Sequence, residues 1–378
     1  MKKQICVVVP IIQFAEAFLL GHLDAMTAMY EVCLVTNFQG KEYLRRRGLM
    51  VEVLHAPIPR RPSPLRDLLC LFALIRLIRH RKCDVVHSIT PKTGLLTMLA
   101  AWLIRTPTRI HTFTGQPWAT RGGLARVFLK SLDMLTAACA THILVDSPSQ
   151  LEFLVREQVV DRKKASVLAN GSLGGVNTTR FHPQPELRDE TRSTLLIPPD
   201  AMVFAFLGRM TRDKGVLDLA AAFSQVTRAH PNAYLIYVGR DEEKLTPIIE
   251  RLCQSCVDRL RFVDHTPTPE VFMVSADVLC LPSYREGFGA VIIEAAACGV
   301  PALASRIYGI TDALVDGVTG AFHEPGDTEG LARSMRKMIE DPAWRSVSGQ
   351  RARLRAETEF AGEMVTAAML RYYHSILN

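Results

Sequence analysis

The sequence contains no apolar run long enough to cross a bilayer. Its most lipophilic stretches, Leu68–Ile78 and Gly94–Ile104, fall short of the roughly 18–20 apolar residues that a membrane span requires. The N-terminal segment MKKQICVVVP has only a short apolar run that ends at Pro10, which predicts a buried strand rather than a signal peptide. The 378 residues are 48% apolar, so we expect a globular cytoplasmic protein of two or three domains, attached at most to a membrane surface.

Motifs for metals and redox cofactors are also scarce. The nine cysteines are irregularly spaced, and the single C-x-x-C pair, Cys253 and Cys256, has no second pair or histidine cluster beside it. No D-x-D sequence occurs, so we expect no carboxylate pair that holds a divalent ion on a diphosphate, and no cofactor. No G-x-G-x-x-G follows a candidate strand, which argues against a nicotinamide-dependent dehydrogenase.

Aromatic residues make up only 7% of the chain, too few for a groove that stacks nucleic-acid bases. Charge is uneven, because residues 1–190 carry 25 Lys and Arg against 15 Asp and Glu, whereas residues 191–378 carry 20 against 23. The basic stretches Arg45–Arg47 and Arg60–Arg66 and the amphipathic segment Leu65–Arg81 suit an anionic membrane surface. A helix packed on its own sheet, with a solvated basic face, fits this segment equally well.

Short apolar runs alternate with helix-length segments along the whole chain. Continuous apolar strands such as ICVVVP and VFAFLG predict parallel sheets that are covered on both faces, and hence an α/β fold of two doubly wound, Rossmann-like domains. We predict an N-terminal domain over residues 1–185, a C-terminal domain over 186–360, and a terminal helix over 361–378 that can pack back on either domain, with the first as a candidate. The polar, proline-containing stretch 178–201 is predicted to be the linker. Ligands of facing parallel sheets bind in the cleft beyond the carboxyl ends of the strands.

The first motif that carries chemistry is GRMTRDKG, residues 208–215, which follows the strand VFAFLG. Gly208 allows the backbone to turn at the end of the strand. Arg209 and Lys214 are two cations on a loop that leads into a helix, an arrangement that suits a diphosphate. Two surface cations in an ordinary turn would produce the same local pattern.

The second motif is PSYREGFGAVIIEAAACGVP, residues 282–301. Gly287 and Gly289 flank Phe288 and allow the backbone to approach a ligand, and a helix is predicted to begin at Ala290. Glu286 lies on the loop, whereas Glu294 lies one turn into the helix on an apolar face. Because an unpaired buried carboxylate is unfavourable, Glu294 is expected to accept hydrogen bonds from paired hydroxyls, such as those of a ribose.

These residues carry a family resemblance. The E-x7-E pattern of EGFGAVIIE, preceded by Arg209 and Lys214, resembles the retaining glycosyltransferases of family 4 with the GT-B fold. The segments VVHSITPKTGLLTMLAA, TFTGQPWATRGG and VLANGSLGGVNTTRF are similar to the branch that builds bacterial lipid-linked surface polysaccharides. The resemblance implies transfer of a sugar from a nucleotide-sugar, for example a UDP-linked N-acetylhexosamine, onto a polyprenyl-diphosphate-linked saccharide at the inner face of the cytoplasmic membrane.

The resemblance also implies a role for each motif residue. Arg209 and Lys214 match the pair that neutralises the donor diphosphate, and Glu286 matches the residue that contacts the donor sugar. Glu294 matches the carboxylate that binds the ribose. The backbone of Phe288, Gly289, Ala290 and Val291 matches the loop and helix start that meet sugar and phosphate.

On the acceptor side, Thr114 takes the place where many relatives carry a catalytic-site histidine. His111, a further candidate acceptor contact, lies three residues earlier, on the opposite face of the strand, where a histidine is more often buried in the core. Lys92, in TPKTG, resembles an anion contact for the acceptor phosphate. Two other interpretations remain open from the sequence: a sugar-nucleotide epimerase of the same fold, and a non-catalytic transferase that acts as an adaptor.

Overall fold

The computed structural model describes residues 2–38, 51–59 and 63–377. The chain forms two compact units: the first comprises Met1–Gly175 and Gly362–Asn378, the second Val176–Ala361. The basic residues Arg45–Arg47 and the start of the Arg60–Arg66 stretch lie outside the described residues. Among the helices of the described ranges, none combines the length and the apolar character needed to cross a membrane.

The first unit is built on a seven-stranded parallel sheet with the order β3-β2-β1-β4-β5-β6-β7. Its strands are β1 (Gln4–Val8), β2 (Glu31–Thr36), β3 (Glu52–His55), β4 (Val85–Ile89), β5 (Thr108–Phe113), β6 (His142–Val145) and β7 (Ala165–Val167). Apolar clusters cover both faces of this sheet, so its central strands are buried on both sides. This explains why they stand out in the sequence as continuous apolar runs.

Helices on both faces connect these strands. They are α1 (Ile12–Phe18), α2 (Leu20–Met29), α3 (Pro64–Arg81), α4 (Pro91–Leu103), α5 (Gly123–Cys139), α6 (Pro148–Arg156) and the C-terminal α15 (Gly362–Leu377). Helix α15 packs against α2, where His22 Nδ1 lies 2.8 Å from Thr366 Oγ1. Tyr373 Oη lies 2.7 Å from His87 Nδ1 in β4, so buried polar contacts hold the terminal helix on the first sheet.

The second unit has a six-stranded parallel sheet with the order β10-β9-β8-β11-β12-β13. Its strands are β8 (Met202–Leu207), β9 (Ala233–Val238), β10 (Leu260–Val263), β11 (Val278–Leu281), β12 (Ala302–Ser305) and β13 (Gly320–His323). Its helices are α7 (Pro185–Thr194), α8 (Val216–Val226), α9 (Thr246–Leu252), α10 (Pro269–Ser275), α11 (Ala290–Ala297), α12 (Ile310–Ala313), α13 (Thr328–Glu340) and α14 (Pro342–Glu359). The two sheets confirm the predicted α/β class with doubly wound, Rossmann-like units.

The stretch 178–201, predicted to be the linker, contains a helix in the structure. The units divide at Gly175, and the segment 178–201 contains α7, which belongs to the second unit. Arg188 and Arg192 of this helix bind the two carboxylate oxygens of Asp277, at 2.6 and 2.9 Å. This paired anchor holds α7 against the second sheet, so the boundary predicted at 185 lies ten residues too late.

Candidate active site

The two motif loops meet at one point of the second sheet. The loop with Arg209 and Lys214 follows β8, and the loop with Glu286 follows β11. Strands β8 and β11 are paired neighbours, and the order of the sheet reverses between them, because β9 lies on the other side of β8. In an open α/β sheet such a reversal leaves a crevice at the carboxyl ends of the strands, where ligands bind.

The centre of the candidate site is an ion pair between the two loops. Lys214 Nζ lies 2.5 Å from Glu286 Oε1, and the Ser283 hydroxyl donates a hydrogen bond of 2.9 Å to the same oxygen. The side chains of Lys214 and Glu286 are only 17% and 14% exposed, so water screens their interaction weakly. The structure thus brings together two residues that the sequence assigned to different parts of a donor.

A second ion pair joins the same loops and was not predicted from the sequence. Arg285 Nη2 lies 2.8 Å from Asp213 Oδ2, and the Thr211 hydroxyl donates to Asp213 Oδ1 at 2.5 Å. Burial alone would raise the pKa of Asp213, but Thr211 and the cation of Arg285 outweigh it and hold that pKa below its usual value. The sequence hinted at this pair only through position, because Asp213 directly precedes Lys214 and Arg285 directly precedes Glu286.

Glycine is required where the loops touch. Gly215 caps α8 with a left-handed φ of 69°, and a Cβ atom there would lie 2.0 Å from the Pro282 carbonyl oxygen. Gly289 caps α11 with a φ of 76°, which turns the chain from the Glu286 loop into the helix. The half-buried residues Ala290 and Val291 form the first turn of α11, so their amides lie beside the ion pair's loop, while Phe288 is buried.

Arg209 lies apart from the central pair. Its side chain is 55% exposed and binds Glu242 at 3.0 Å. Exposed ion pairs of this kind contribute little free energy, so Arg209 is free to exchange Glu242 for a more strongly charged partner. Gly208 precedes it with a φ of 155°, at the turn that follows β8.

Glu294 is half-buried on α11, and its carboxylate has no hydrogen-bond partner among the described residues. The pKa of Glu294 is raised to about 7, mainly by burial; Arg180 opposes this shift and Glu270 adds to it. Arg180 itself is occupied by Glu270, with Nη2 at 2.7 Å from Oε2. A carboxylate in this state can accept hydrogen bonds from a ligand that brings hydroxyl groups.

The acceptor-side residues lie in the first unit. Lys92 lies in the first turn of α4 and binds Asp67 at 2.8 Å; two residues earlier, Thr90 has an unfavourable φ of 73°. Thr114 follows β5, and its carbonyl accepts a hydrogen bond of 3.1 Å from Gln150 Nε2. His111 is fully buried, so its side chain is not available to an acceptor, in contrast to the predicted acceptor contact.

The surroundings of His111 explain its burial. Its Nδ1 lies 2.9 Å from Ser88 Oγ, and its ring fills the space over Gly94, where a Cβ atom would come within 2.2 Å. Burial and, to a smaller extent, the neighbouring His87 lower the pKa of His111 to about 3, so the ring is neutral. The structure therefore assigns His111 to the core of the first unit.

A buried polar cluster at the carboxyl ends of β5 and β6 was missed in the sequence. Gln150 donates to Gln116 Oε1 at 3.1 Å, and its own Oε1 accepts from the amide of Asp146 at 3.0 Å. Burial raises the pKa of Asp146 to about 7. The available signal was an acidic residue that directly ends the apolar run HILV. Within the described ranges, no group of three His, Cys, Asp or Glu side chains is arranged to hold a metal ion.

Comparison with protein families gives two matches along the chain. Residues 188–356 match the family described as glycosyl transferases group 1, and residues 16–171 match the glycosyl transferase 4-like domain. The first match contains all the residues of the β8 and β11 loops. The second contains Lys92, His111 and Thr114.

Curated proteins and solved structures agree with these matches. The chain is 28% identical to the capsular polysaccharide biosynthesis glycosyltransferase CapM of Staphylococcus aureus, over 91% of this chain and 90% of that protein. It is 26% identical to the UDP-Gal:alpha-D-GlcNAc-diphosphoundecaprenol alpha-1,3-galactosyltransferase of Escherichia coli, over 74% and 72% of the two chains. The fold matches the structure of Anabaena HepE in complex with UDP-glucose, with a TM-score of 0.82 at 18% identity, over 98% and 99% of the two chains.

Proposed function

Because this chain belongs to the GT4-type glycosyltransferases with the GT-B fold and acts in surface polysaccharide biosynthesis, we propose a specific reaction for it. It transfers a sugar from a UDP-sugar to a polyprenyl-diphosphate-linked saccharide, and the anomeric configuration of the sugar is retained. The UDP donor is suggested by the names of the E. coli relative and of the Anabaena complex. The lipid-linked acceptor is suggested by the diphosphoundecaprenol in the name of the E. coli relative.

The observation that carries this proposal is the ion pair between Lys214 and Glu286 at the β8–β11 crevice. A nucleotide-sugar presents a diphosphate next to a ring of hydroxyl groups. Lys214 matches the first of these groups in charge, and Glu286 matches the second, as an acceptor of hydrogen bonds. Their spacing of 2.5 Å supports the proposal that both groups contact the donor near the bond between diphosphate and sugar.

The surrounding residues complete the donor site. Arg209 leaves its exposed pair with Glu242 and adds a second cation to the diphosphate, which its planar guanidinium can bind through two donors. The first amides of α11 at Ala290 and Val291 offer further donors to phosphate oxygens. Glu294 accepts hydrogen bonds from the ribose. Its pKa of about 7 means that the carboxylate is ionised, and so a strong acceptor, above about pH 7.

Retention follows from a reaction in which both bonds change on one face of the sugar. The bond from the anomeric carbon to the UDP oxygen breaks, and the acceptor oxygen forms its bond to the same face of that carbon. The acceptor proton passes to an oxygen of the departing diphosphate, so no protein nucleophile is required. Arg209 and Lys214 stabilise the negative charge that grows on the leaving group.

The acceptor is assigned to the first unit. Lys92 stands at the start of α4, beside the strained Thr90, and can exchange Asp67 for a phosphate of the lipid carrier. An acceptor of this kind is embedded in a membrane, so the enzyme is proposed to work while bound peripherally to the inner face of the cytoplasmic membrane. The half of the chain with a formal net charge of +10 then faces the anionic lipid.

The proposal is tested with a panel of UDP- and other nucleotide-sugars, each incubated with a polyprenyl-diphosphate-linked monosaccharide. Mass spectrometry should detect an acceptor that is heavier by one sugar with a UDP-linked donor. A sugar-nucleotide epimerase would instead change the donor when no acceptor is present. Failure of every donor to extend a lipid-linked acceptor would contradict the proposed reaction.

A further inference from the structure

Helix α5 of the first unit has an inverted distribution of polar and apolar side chains. Its three charged residues are Arg126, Lys130 and Asp133, and each one turns toward the protein. Arg126 and Lys130 bind the two carboxylate oxygens of Glu157, at 2.9 and 2.8 Å. Asp133 is buried and accepts a hydrogen bond of 2.7 Å from the indole of Trp118.

The outward side of α5 is therefore apolar. Leu124, Val127 and Phe128 are 88%, 64% and 62% exposed, and Leu135 continues the same stripe two turns later. Between Leu124 and Leu135 the exposed residues of this helix carry no charge. Single exposed apolar residues are ordinary. A helix whose charged side chains face the protein while its apolar side chains face solvent is typical of an interaction surface.

Helix α3, nearby, also exposes apolar side chains, but it exposes cations beside them. Its first half exposes Leu65, Leu69 and Phe72, and its second half exposes the cations Arg76 and Arg79. Helix α4 contacts both α3 and α5 and so lies between them. Because each helix runs back along the strand that it follows, the first turns of all three helices lie at the carboxyl edge of the sheet.

From this arrangement we propose that α5 and α3 together form a bilayer-insertion surface, with an anionic phospholipid membrane as its occupant. The inference rests on the proposed function, because it supplies the contact through which the enzyme would reach a lipid-linked acceptor. The apolar stripes enter the boundary between headgroups and acyl chains, as amphipathic helices do at membrane surfaces. Lys92 starts α4 at the same edge, so a phosphate at the membrane surface would meet it directly.

The cations around this surface favour an anionic membrane over other partners. Arg66 and Arg121 are exposed next to the apolar turns of α3 and α5, and Arg76 and Arg79 extend the cationic rim. A face of this kind is complementary to anionic headgroups around an apolar layer. A second copy of the same chain would place equal charges opposite one another, which disfavours a dimer through this surface.

The test is flotation of the full-length protein with vesicles of phosphatidylglycerol and phosphatidylcholine, compared with vesicles of phosphatidylcholine alone. The stripe variant is Leu124→Ser with Phe128→Ser. The matched control is Val347→Ser with Leu354→Ser, which removes exposed apolar side chains from α14 in the second unit. Thermal unfolding of each variant verifies that it is folded, and sedimentation measures its oligomeric state.

The wild type and the control should float with the anionic vesicles. The stripe variant should bind them at least roughly tenfold more weakly, because apolar area is removed. Added salt should weaken wild-type binding. A folded stripe variant that floats like the wild type, or a wild type that floats with neither vesicle, would overturn the inference. So would a wild-type dimer that the stripe variant dissociates, because a second copy would then be the occupant.

A transfer assay with a short-chain, water-soluble acceptor separates this inference from the proposed function. The stripe variant should transfer to that acceptor as the wild type does. Normal transfer with unaltered flotation would refute the insertion surface and leave the function intact. Stripe-dependent flotation without transfer to any acceptor would refute the function and leave the surface intact.

Discussion

Lys214 and Glu286 form an ion pair with 2.5 Å between Nζ and Oε1, although 72 positions separate them in the chain. Each residue lies on the loop that follows a strand of the central pair β8 and β11, and both side chains are largely buried. The pair joins the two loops, and each residue compensates the charge of the other. In the proposed reaction, the donor replaces this one contact with two, since its phosphate would take the lysine and its hydroxyls would take the glutamate.

The first prediction concerns Lys214. Lys214→Ala should lower turnover by roughly 100-fold, because it removes a preorganised cation from the leaving diphosphate and leaves Glu286 without its partner. Arg212→Ala is the matched control, since Arg212 lies on the same loop but is exposed and only loosely paired with Glu243. Steady-state kinetics should show the control within a factor of about two of the wild type. Near-normal turnover of Lys214→Ala would remove the lysine from the reaction.

A second prediction concerns Glu294 and pH. Its pKa of about 7 means that the carboxyl group is protonated below that pH and ionised above it. Ribose hydroxyls donate hydrogen bonds most strongly to the ionised form, so the KM for the donor should fall as the pH rises through about 7. Glu294→Gln should raise the KM more than it lowers kcat and should flatten this pH dependence. A Glu294→Gln enzyme that keeps the wild-type pH profile would contradict the assignment.

Asp146 provides a prediction about stability. Its folded-state pKa is about 7, raised by burial above the ordinary value of about 4. The folded protein thus holds this proton more tightly, and the resulting stabilisation is complete below the unfolded pKa and is lost as the pH rises to about 7. Asp133 and Glu294, with pKa values of about 6 and about 7, act in the same direction.

Asp146→Asn should therefore reduce the loss of unfolding free energy between about pH 4 and pH 7, measured by urea denaturation. The exposed Asp24→Asn serves as the control and should unfold with the wild-type pH dependence. An Asp146→Asn protein with an unaltered pH dependence would show that the Asp146 carboxyl is not protonated in the folded state.

Metal dependence gives a further prediction. In the proposed reaction Arg209, Lys214 and the first amides of α11 supply the positive field for the diphosphate, so transfer should persist in the presence of EDTA. Initial rates with EDTA and with added magnesium should agree within about twofold. Complete loss of activity with EDTA, restored by magnesium, would mean that a divalent ion carries the charge instead.

The sequence predicted much of the site because its residues lie on loops directly after apolar strands. Glu286 and Glu294 were found through their spacing, and the strands β8 and β11 through their apolar runs. The pairing of Lys214 with Glu286 could not be predicted, because it depends on β8 and β11 being neighbours in the sheet. The edge strands β3 and β13 were missed, since they are short and only partly buried and lack a continuous apolar run.

In the first unit, alternation along β5 placed His111 and Thr114 on opposite faces, and the structure buries His111 accordingly. The exposed stripe of α5 had no such signal. The exposure of Leu124 and Phe128 depends on contacts that Glu157 and Trp118 make with the charged side chains of the helix.

The stereochemistry of the product tests the central claim most directly. The enzyme is incubated with a UDP-sugar of known α configuration and a lipid-linked acceptor, and the anomeric proton of the new linkage is observed by NMR. The account predicts an α-linked product, because the leaving diphosphate takes the acceptor proton on the face where the new bond forms. A β-linked product would require attack from the opposite face, and it would contradict the assignment of Lys214, Arg209 and Glu286 to a retaining transfer.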